Sequence, residues 1–221
     1  MYRHLDNLDL PIDLPIGKVV CVGRNYLDHV REMNTKVSEQ ALLFMKPTTA
    51  LCHLQQPIKI PAQRGQCHNE VEIAVLIKDR LCNASEETVS GGLWGIGMGL
   101  DLTLRDIQST LKQQGHPWER AKAFDASCPV SGFVPASQIP ALQALSFTLS
   151  VNNEVRQQGN TKDMIRGIIS LIAEISESFT LESGDIVMTG TPSGVAALHH
   201  GDNVEASLDG YFLIQTNVVA V

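Results

Sequence analysis

Glu70 and Glu72 stand two residues apart at the head of Glu70-Val71-Glu72-Ile73-Ala74-Val75-Leu76-Ile77, a run rich in β-branched apolar residues. At i and i+2 on a strand, two carboxylates point the same way with Cβ atoms ~6–7 Å apart, close enough for their oxygens to meet on one cation. On an otherwise apolar sheet face the pair would repel each other and lose hydration, and a hard divalent ion removes both costs. Asp101 follows Gly95-x-Gly97-x-Gly99 at the same period of two and is the best third ligand. A solvent-facing acid pair would look the same in isolation; the apolar and glycine-rich surroundings favour the metal.

His29 and Glu32, three residues apart, share one face of a short helix. A carboxylate beside an imidazole raises its basicity and fixes its tautomer, which makes a general base near neutral pH. A casual surface pair has the same spacing. Gly190-Thr191-Pro192 could hold an anion through backbone N–H groups and the threonine hydroxyl, or be a turn and nothing more. The spaced glycines at 95, 97 and 99 are no dinucleotide fingerprint, since Leu100 stands where that pattern needs glycine. His199-His200 reads as a solvated loop, and Trp94 and Trp118 as packing residues.

These residues need elements to hold them. Residues 1–16 are polar and proline-punctuated, an extended lead-in to a single domain over 17–221. Strands are expected at 18–22, 41–45, 57–60, 70–77 and 185–189, with a glycine-lined strand in 91–104. A short helix fits 25–33, and another Thr103–Gln114, with Thr103 as N-cap and Gly115 as stop. The clear long helix is 163–179, where Ile165, Ile168, Ile169, Ile172, Ile175 and Phe179 form a stripe at helical spacing. Hairpins are expected at Asn152-Asn153 and, with a type I′ turn, at Asp209-Gly210 between 203–208 and 211–219. The chain reads as a β-dominated α+β domain with few helices.

The composition bounds the function. Hydrophobic residues make up 43% of the 221, ordinary for a chain with a real core. The formal net charge is −7 and no Lys/Arg run occurs, which argues against nucleic acid. The five cysteines are odd in number and widely spaced, so they read as reduced thiols. No apolar leader or membrane-length stretch is seen, and the expected location is the cytoplasm, away from membranes.

Several segments together resemble the fumarylacetoacetate hydrolase family. Cys21-Val22-Gly23-Arg24-Asn25-Tyr26, followed by His29 and Glu32, resembles its opening strand and lid. His68-Asn69-Glu70-Val71-Glu72 resembles its H-x-E-x-E metal strand, and Gly99 to Gln108 its G-x-D-x-T-x-R-D-x-Q segment. Ala121-Lys122-Ala123-Phe124-Asp125 and Thr189-Gly190-Thr191-Pro192-Ser193-Gly194 complete the set, from about residue 17 to the C-terminus. The resemblance implies a rolled mixed β-sheet, a homodimer, and Mg²⁺ or Mn²⁺ on Glu70, Glu72 and Asp101. It also implies catalytic roles for His29, Glu32 and Lys122, and contacts to a small 2-oxo acid substrate from Arg24, Arg105, Gln108, Gly190 and Thr191.

Within the family the chain is most similar to small acylpyruvate hydrolases, some of which also decarboxylate or tautomerise oxaloacetate. The expected reaction is cleavage of a C–C bond in a 2,4-dioxo acid. His29, oriented by Glu32, activates water, and the metal bears the charge of the departing pyruvate enolate. An alternative is an isomerase or decarboxylase of 2-hydroxyhepta-2,4-diene-1,7-dioate, which shares the metal and the fold. A non-catalytic metal- or ligand-binding protein is the rival of another class, and the His29–Glu32 pair, which a pure binder does not need, speaks against it.

Overall fold

The apolar runs fold as short strands linked by few helices, in a computed structural model that describes residues 2–221. In chain order the first elements are β1 (Val19–Val22), α1 (Leu27–Glu32), β2 (Leu43–Lys46), β3 (Leu51–His53) and β4 (Ile58–Ile60). Then come β5 (Cys67–His68), β6 (Val71–Ile77), α2 (Glu86–Gly91), β7 (Leu93–Leu100), β8 (Thr103–Leu104), α3 (Arg105–Gln114) and α4 (Glu119–Lys122). The last are β9 (Cys128–Val130), β10 (Val134–Pro135), β11 (Ser146–Val151), β12 (Glu154–Asn160), α5 (Ile168–Ser178), β13 (Ile186–Met188), β14 (Asn203–Leu208) and β15 (Phe212–Ala220).

The larger sheet runs β2-β1-β13-β6-β7-β9-β3, with β10 also paired to β7; it is mixed, β1 lying parallel to β13 and β3 to β9. A second sheet runs β12-β11-β14-β15-β4. The larger sheet curls so that both faces are covered. Val71, Ile73, Val75 and Ile77 enter one core, shared with α5 and the second sheet, while Ala74 and Leu76 enter another with Val19, Cys21, Phe44 and Ile186. All seven residues of β6 are buried, as the apolar content of both its faces requires. The fold is thus β-dominated α+β with a rolled mixed sheet.

The glycine-lined strand is β7, and what approaches its bare face is the protein itself. A Cβ on Gly95 would stand 2.1 Å from the Val134 carbonyl oxygen, so only glycine admits the crossing chain there. The lead-in packs onto the roll: His4 is buried, its Nε2 3.0 Å from the Pro15 carbonyl, and Phe133 N–H donates to Leu5 O at 2.8 Å. All five cysteines are free. Among the described residues no helix is long and apolar enough to cross a membrane.

Several boundaries differ from the sequence reading. Thr103 is not the N-cap of α3; it pairs in β8 and Leu104 takes the cap position, while the helix does stop at Gly115 (φ 65°). The long helix begins at Ile168, because Met164 bridges Tyr26 and both Met164 and Gly167 are extended, with ψ 138° and 158°. Leu171 joins its buried stripe, and Ile165 lies outside the helix. The type I′ geometry occurs at Asn152-Asn153, both with positive φ (54° and 66°), and not at Asp209-Gly210, where only Gly210 has it.

Candidate active site

Antiparallel pairing of β6 and β7 assembles the acids. Glu72 stands opposite Gly99, and the Asp101 N–H donates to the Glu70 carbonyl at 2.8 Å. Glu70, Glu72 and Asp101 therefore share one sheet face, and the missing side chain at Gly99 leaves room between them. All three are buried, and one oxygen from each lies within 4.8 Å of the others.

Two lysines and an arginine surround this cluster. Lys122 Nζ donates to Glu70 Oε2 at 2.7 Å and to Asp101 Oδ2 at 2.5 Å, and Arg105 Nη2 to Glu70 Oε1 at 2.5 Å. Burial opposes the charge on Glu70, but Lys122 and Arg105 outweigh it and hold its carboxyl well below the usual range. Burial likewise opposes the charge on Lys122, and Asp101 and Glu70 overcome it and push that ammonium's pKa up.

Glu72 is different. Its carboxylate accepts the Gly190 N–H at 2.6 Å, and no cationic side chain among the described residues pairs with it. Burial first, then the charges of Asp101 and Glu70, push its pKa well above the usual value. Asp101 carries a related deficit. Lys46 Nζ forms an ion pair with its Oδ1 at 2.9 Å, and hydrogen-bonds to the Lys122 carbonyl, the Ser127 carbonyl (3.0 Å) and Ser127 Oγ (3.1 Å). Asp101 Oδ1 is buried with no hydrogen bond. A carboxylate without a cationic partner beside a buried carboxylate oxygen without a hydrogen bond is a donor set that suits a hard divalent ion. Metal–oxygen bonds of ~2.1 Å allow ligand oxygens at most ~4.2 Å apart, which small side-chain movements reach from this spacing.

Helix α1 brings His29 to the same place. His29 is buried, and its Nδ1 lies 3.0 Å from Glu32 Oε2; Glu32 Oε1 accepts the Gly194 N–H at 2.9 Å. Asn25, just before the helix, holds this entry by donating to the Arg166 and Thr189 carbonyls, each at 2.9 Å. His29, Arg24, Glu70, Arg105, Gln108, Lys112, Trp118 and Lys122 line one cleft, whose enclosed space of ≈ 20 Å³ has room for about one water.

The sequence-derived residues thus converge, with two exceptions in detail. Gly190 and Thr191 flank the cluster, but their donors serve the protein: Gly190 N–H binds Glu72, and Thr191 Oγ1 donates to the Val71 carbonyl at 2.8 Å. Arg24 reaches the cleft wall with Nη1 on the Lys36 carbonyl at 3.0 Å, and Gln108 Oε1 accepts from Arg105 Nη1 at 2.7 Å. Trp118 packs against both cores, as expected, and also forms a wall of the cleft, with Lys112 Nζ 4.9 Å from its ring centroid. Sequence reasoning missed Lys46, which is 0% exposed, although its parity with buried Phe44 on β2 was a usable signal. It also missed Lys112, whose pKa is lowered to about 8 by partial burial and then by the Arg105, Lys122 and Arg24 charges.

Known proteins share this arrangement's fold and much of its sequence. The oxaloacetate tautomerase YcgM of Escherichia coli K12 is 51% identical over 214 residues, covering 96% of this chain and 98% of its own. A crystal structure from Yersinia pestis CO92 superposes with a TM-score of 0.97 at 48% identity, covering 99% of this chain and 100% of that one. Fumarylpyruvate hydrolase from Pseudomonas aeruginosa, solved with Mn²⁺ and pyruvate, does so with a TM-score of 0.89 at 34% identity, covering 94% and 91%. The fumarylacetoacetate (FAA) hydrolase C-terminal family matches residues 18–219, and with near-complete coverage at this identity the chain belongs to that enzyme family.

Proposed function

We propose that this chain is a Mg²⁺- or Mn²⁺-dependent tautomerase of oxaloacetate, moving a proton between C3 and the C2 oxygen of a four-carbon 2-oxo diacid. The observation that carries the reading is one cleft lined by both Glu70, a member of the acid cluster, and His29, the imidazole paired with Glu32. The tautomerase activity named for the 51%-identical relative supports it.

A divalent cation held by Glu70, Glu72 and Asp101 supplies Lewis-acid stabilisation of negative charge on the substrate oxygens. The chain's own groups do the rest. With Glu32 fixing Nδ1 as the protonated nitrogen, His29 presents Nε2 as the base that takes a proton from C3 and returns one to the C2 oxygen. Lys122 and Arg105 hold Glu70 charged, and Arg24, Gln108 and Lys112 offer donors to the substrate carboxylates. The lid excludes water, so the reactive enol is not lost to side reactions.

Hydrolytic cleavage of acylpyruvates is a second reading, favoured by the TM-score of 0.89 to the hydrolase solved with Mn²⁺ and pyruvate. There the proton would leave a water that attacks the distal carbonyl. A homodimer and a single catalytic domain over 17–221 belong to the same proposal, on the family resemblance.

The test follows the ultraviolet absorbance of enol oxaloacetate with enzyme and Mg²⁺ or Mn²⁺, with and without chelator, with pyruvate release and an acylpyruvate panel in parallel. Metal-dependent loss of the enol signal faster than with the ion alone, without matching pyruvate, is expected. Pyruvate release at the same rate as enol loss, or cleavage of acylpyruvates alone, would overturn the tautomerase assignment.

A further inference from the structure

The second sheet contributes a polar residue to the neighbourhood of the acid cluster. Gln157 on β12 is 1% exposed, and both ends of its amide are fully used. Its Oε1 accepts from Asn69 Nδ2 at 2.7 Å and from the Val71 N–H at 2.9 Å, the residues that flank Glu70. Its Nε2 donates to Thr191 Oγ1 at 2.7 Å and to the Pro192 carbonyl at 2.9 Å. Four hydrogen bonds exhaust what a glutamine can make. They tie the strand that carries Glu70 and Glu72 to the turn that carries Gly190 and Gly194.

That turn is where the two halves of the site meet. Gly190 N–H holds Glu72, and Gly194 N–H holds the Glu32 oxygen that faces away from His29. The backbone arranges this deliberately. The β11–β12 register slips between Leu149 and Ser150, leaving Arg156 as the extra residue, and beyond that bulge Gln157 faces the interior. The bulge also receives the turn: a Cβ on Gly194 (φ 100°) would stand 1.8 Å from the Arg156 carbonyl oxygen, so only glycine lets the two backbones touch.

We propose that Gln157 is a positioning residue for the metal site and the dyad together, setting the spacing between the carboxylate strand and the turn that orients Glu72 and Glu32. It touches neither substrate nor cation and acts through the groups that do. The inference rests on the function proposed above. Residues supporting metal ligands from behind change metal affinity or activity by about 10- to 100-fold when removed.

The test uses full-length Gln157→Met, which removes all four bonds at similar size, and Gln157→Glu, which keeps the acceptor toward Asn69 and Val71 and loses both donations to the turn. Exposed Gln158→Met is the control. Titration with Mn²⁺ alone should show Gln157→Met weakened at least tenfold, with Gln158→Met unchanged. Gln157→Glu should melt cooperatively yet lose at least tenfold in kcat, with the pH profile of kcat/KM displaced as His29 loses its fixed partner. If Gln157→Met misfolds, the Gln157→Glu measurements decide. Wild-type Mn²⁺ affinity in Gln157→Met, or a wild-type kcat and pH profile in Gln157→Glu, overturns the proposal. A wild-type protein that binds no Mn²⁺ overturns the metal-site reading and this inference with it; binding by wild type with unaltered variants overturns this inference alone.

Discussion

Lys46→Met removes a buried ammonium whose role the surrounding bonds define. Its neutral partners survive the change: the Ser127 carbonyl keeps the Leu102 N–H at 3.0 Å, and the Lys122 carbonyl keeps Ser127 Oγ at 2.8 Å. What is lost is charge, because Asp101 goes from two adjacent cations to one. Breaking a buried ion pair costs about 3–5 kcal/mol, and the low end applies because Lys122 stays on Asp101. For a chain of this size ~3 kcal/mol is a fall in Tm of roughly 6–12 °C. The assay is thermal unfolding of chelated wild type and variant, repeated at saturating Mn²⁺. A cation on Asp101 replaces part of the missing positive charge, so the variant should gain more from Mn²⁺ than wild type and the gap should narrow. At about 100 times Kd, binding alone adds ~2.7 kcal/mol. A chelated variant as stable as wild type, or a gap the metal leaves unchanged, would refute the view that Lys46 serves as counter-charge at a cation site.

Other outcomes follow from the same geometry. His29→Ala should lower kcat for enol–keto conversion by about 10²–10⁴-fold while Mn²⁺ affinity, measured by calorimetry, stays within a few-fold, since the imidazole is the base and no ligand. Lys112 loses its proton as pH rises through about 8, so the cleft loses positive charge and KM for the dianionic substrate should rise above that pH; Lys112→Met should show a raised KM without that step. Treatment with chelator should abolish turnover, and Mg²⁺ or Mn²⁺ should restore it. Gly95→Ala should destabilise the fold by about 1–3 kcal/mol in denaturant melts, because the new methyl meets a backbone carbonyl that cannot yield.

What was legible in the sequence is what short-range geometry determines. Period two on β6 puts Glu70 and Glu72 on one face, glycine spacing points Asp101 the same way, and the His29–Glu32 spacing makes the dyad; all depend on residues a few positions apart. The supports are long-range and left little trace. Asn25 binds Arg166 and Thr189, 141 and 164 residues away, and Gln157 binds Asn69 across 88. A contact of the same kind explains a misplaced boundary. Ile165 has the spacing of the helical stripe, but Met164 is held extended against Tyr26 and Gly167 is extended too, so the helix starts at Ile168. Gly190-Thr191 read equally as a plain turn or an anion-holding one, because its donors were visible in the sequence and the protein carboxylate and carbonyl that use them were not.

The account stands or falls on one cation shared by the three buried acids. Crystals grown with Mn²⁺ and measured for anomalous scattering should show a single strong peak touching Glu70, Glu72 and Asp101, with Lys122 moved off Asp101 Oδ2 to admit it. No peak there at saturating Mn²⁺, with Lys122 still bridging Glu70 and Asp101, would mean that the lysines alone neutralise these acids and that the chemistry proposed for the cleft is wrong.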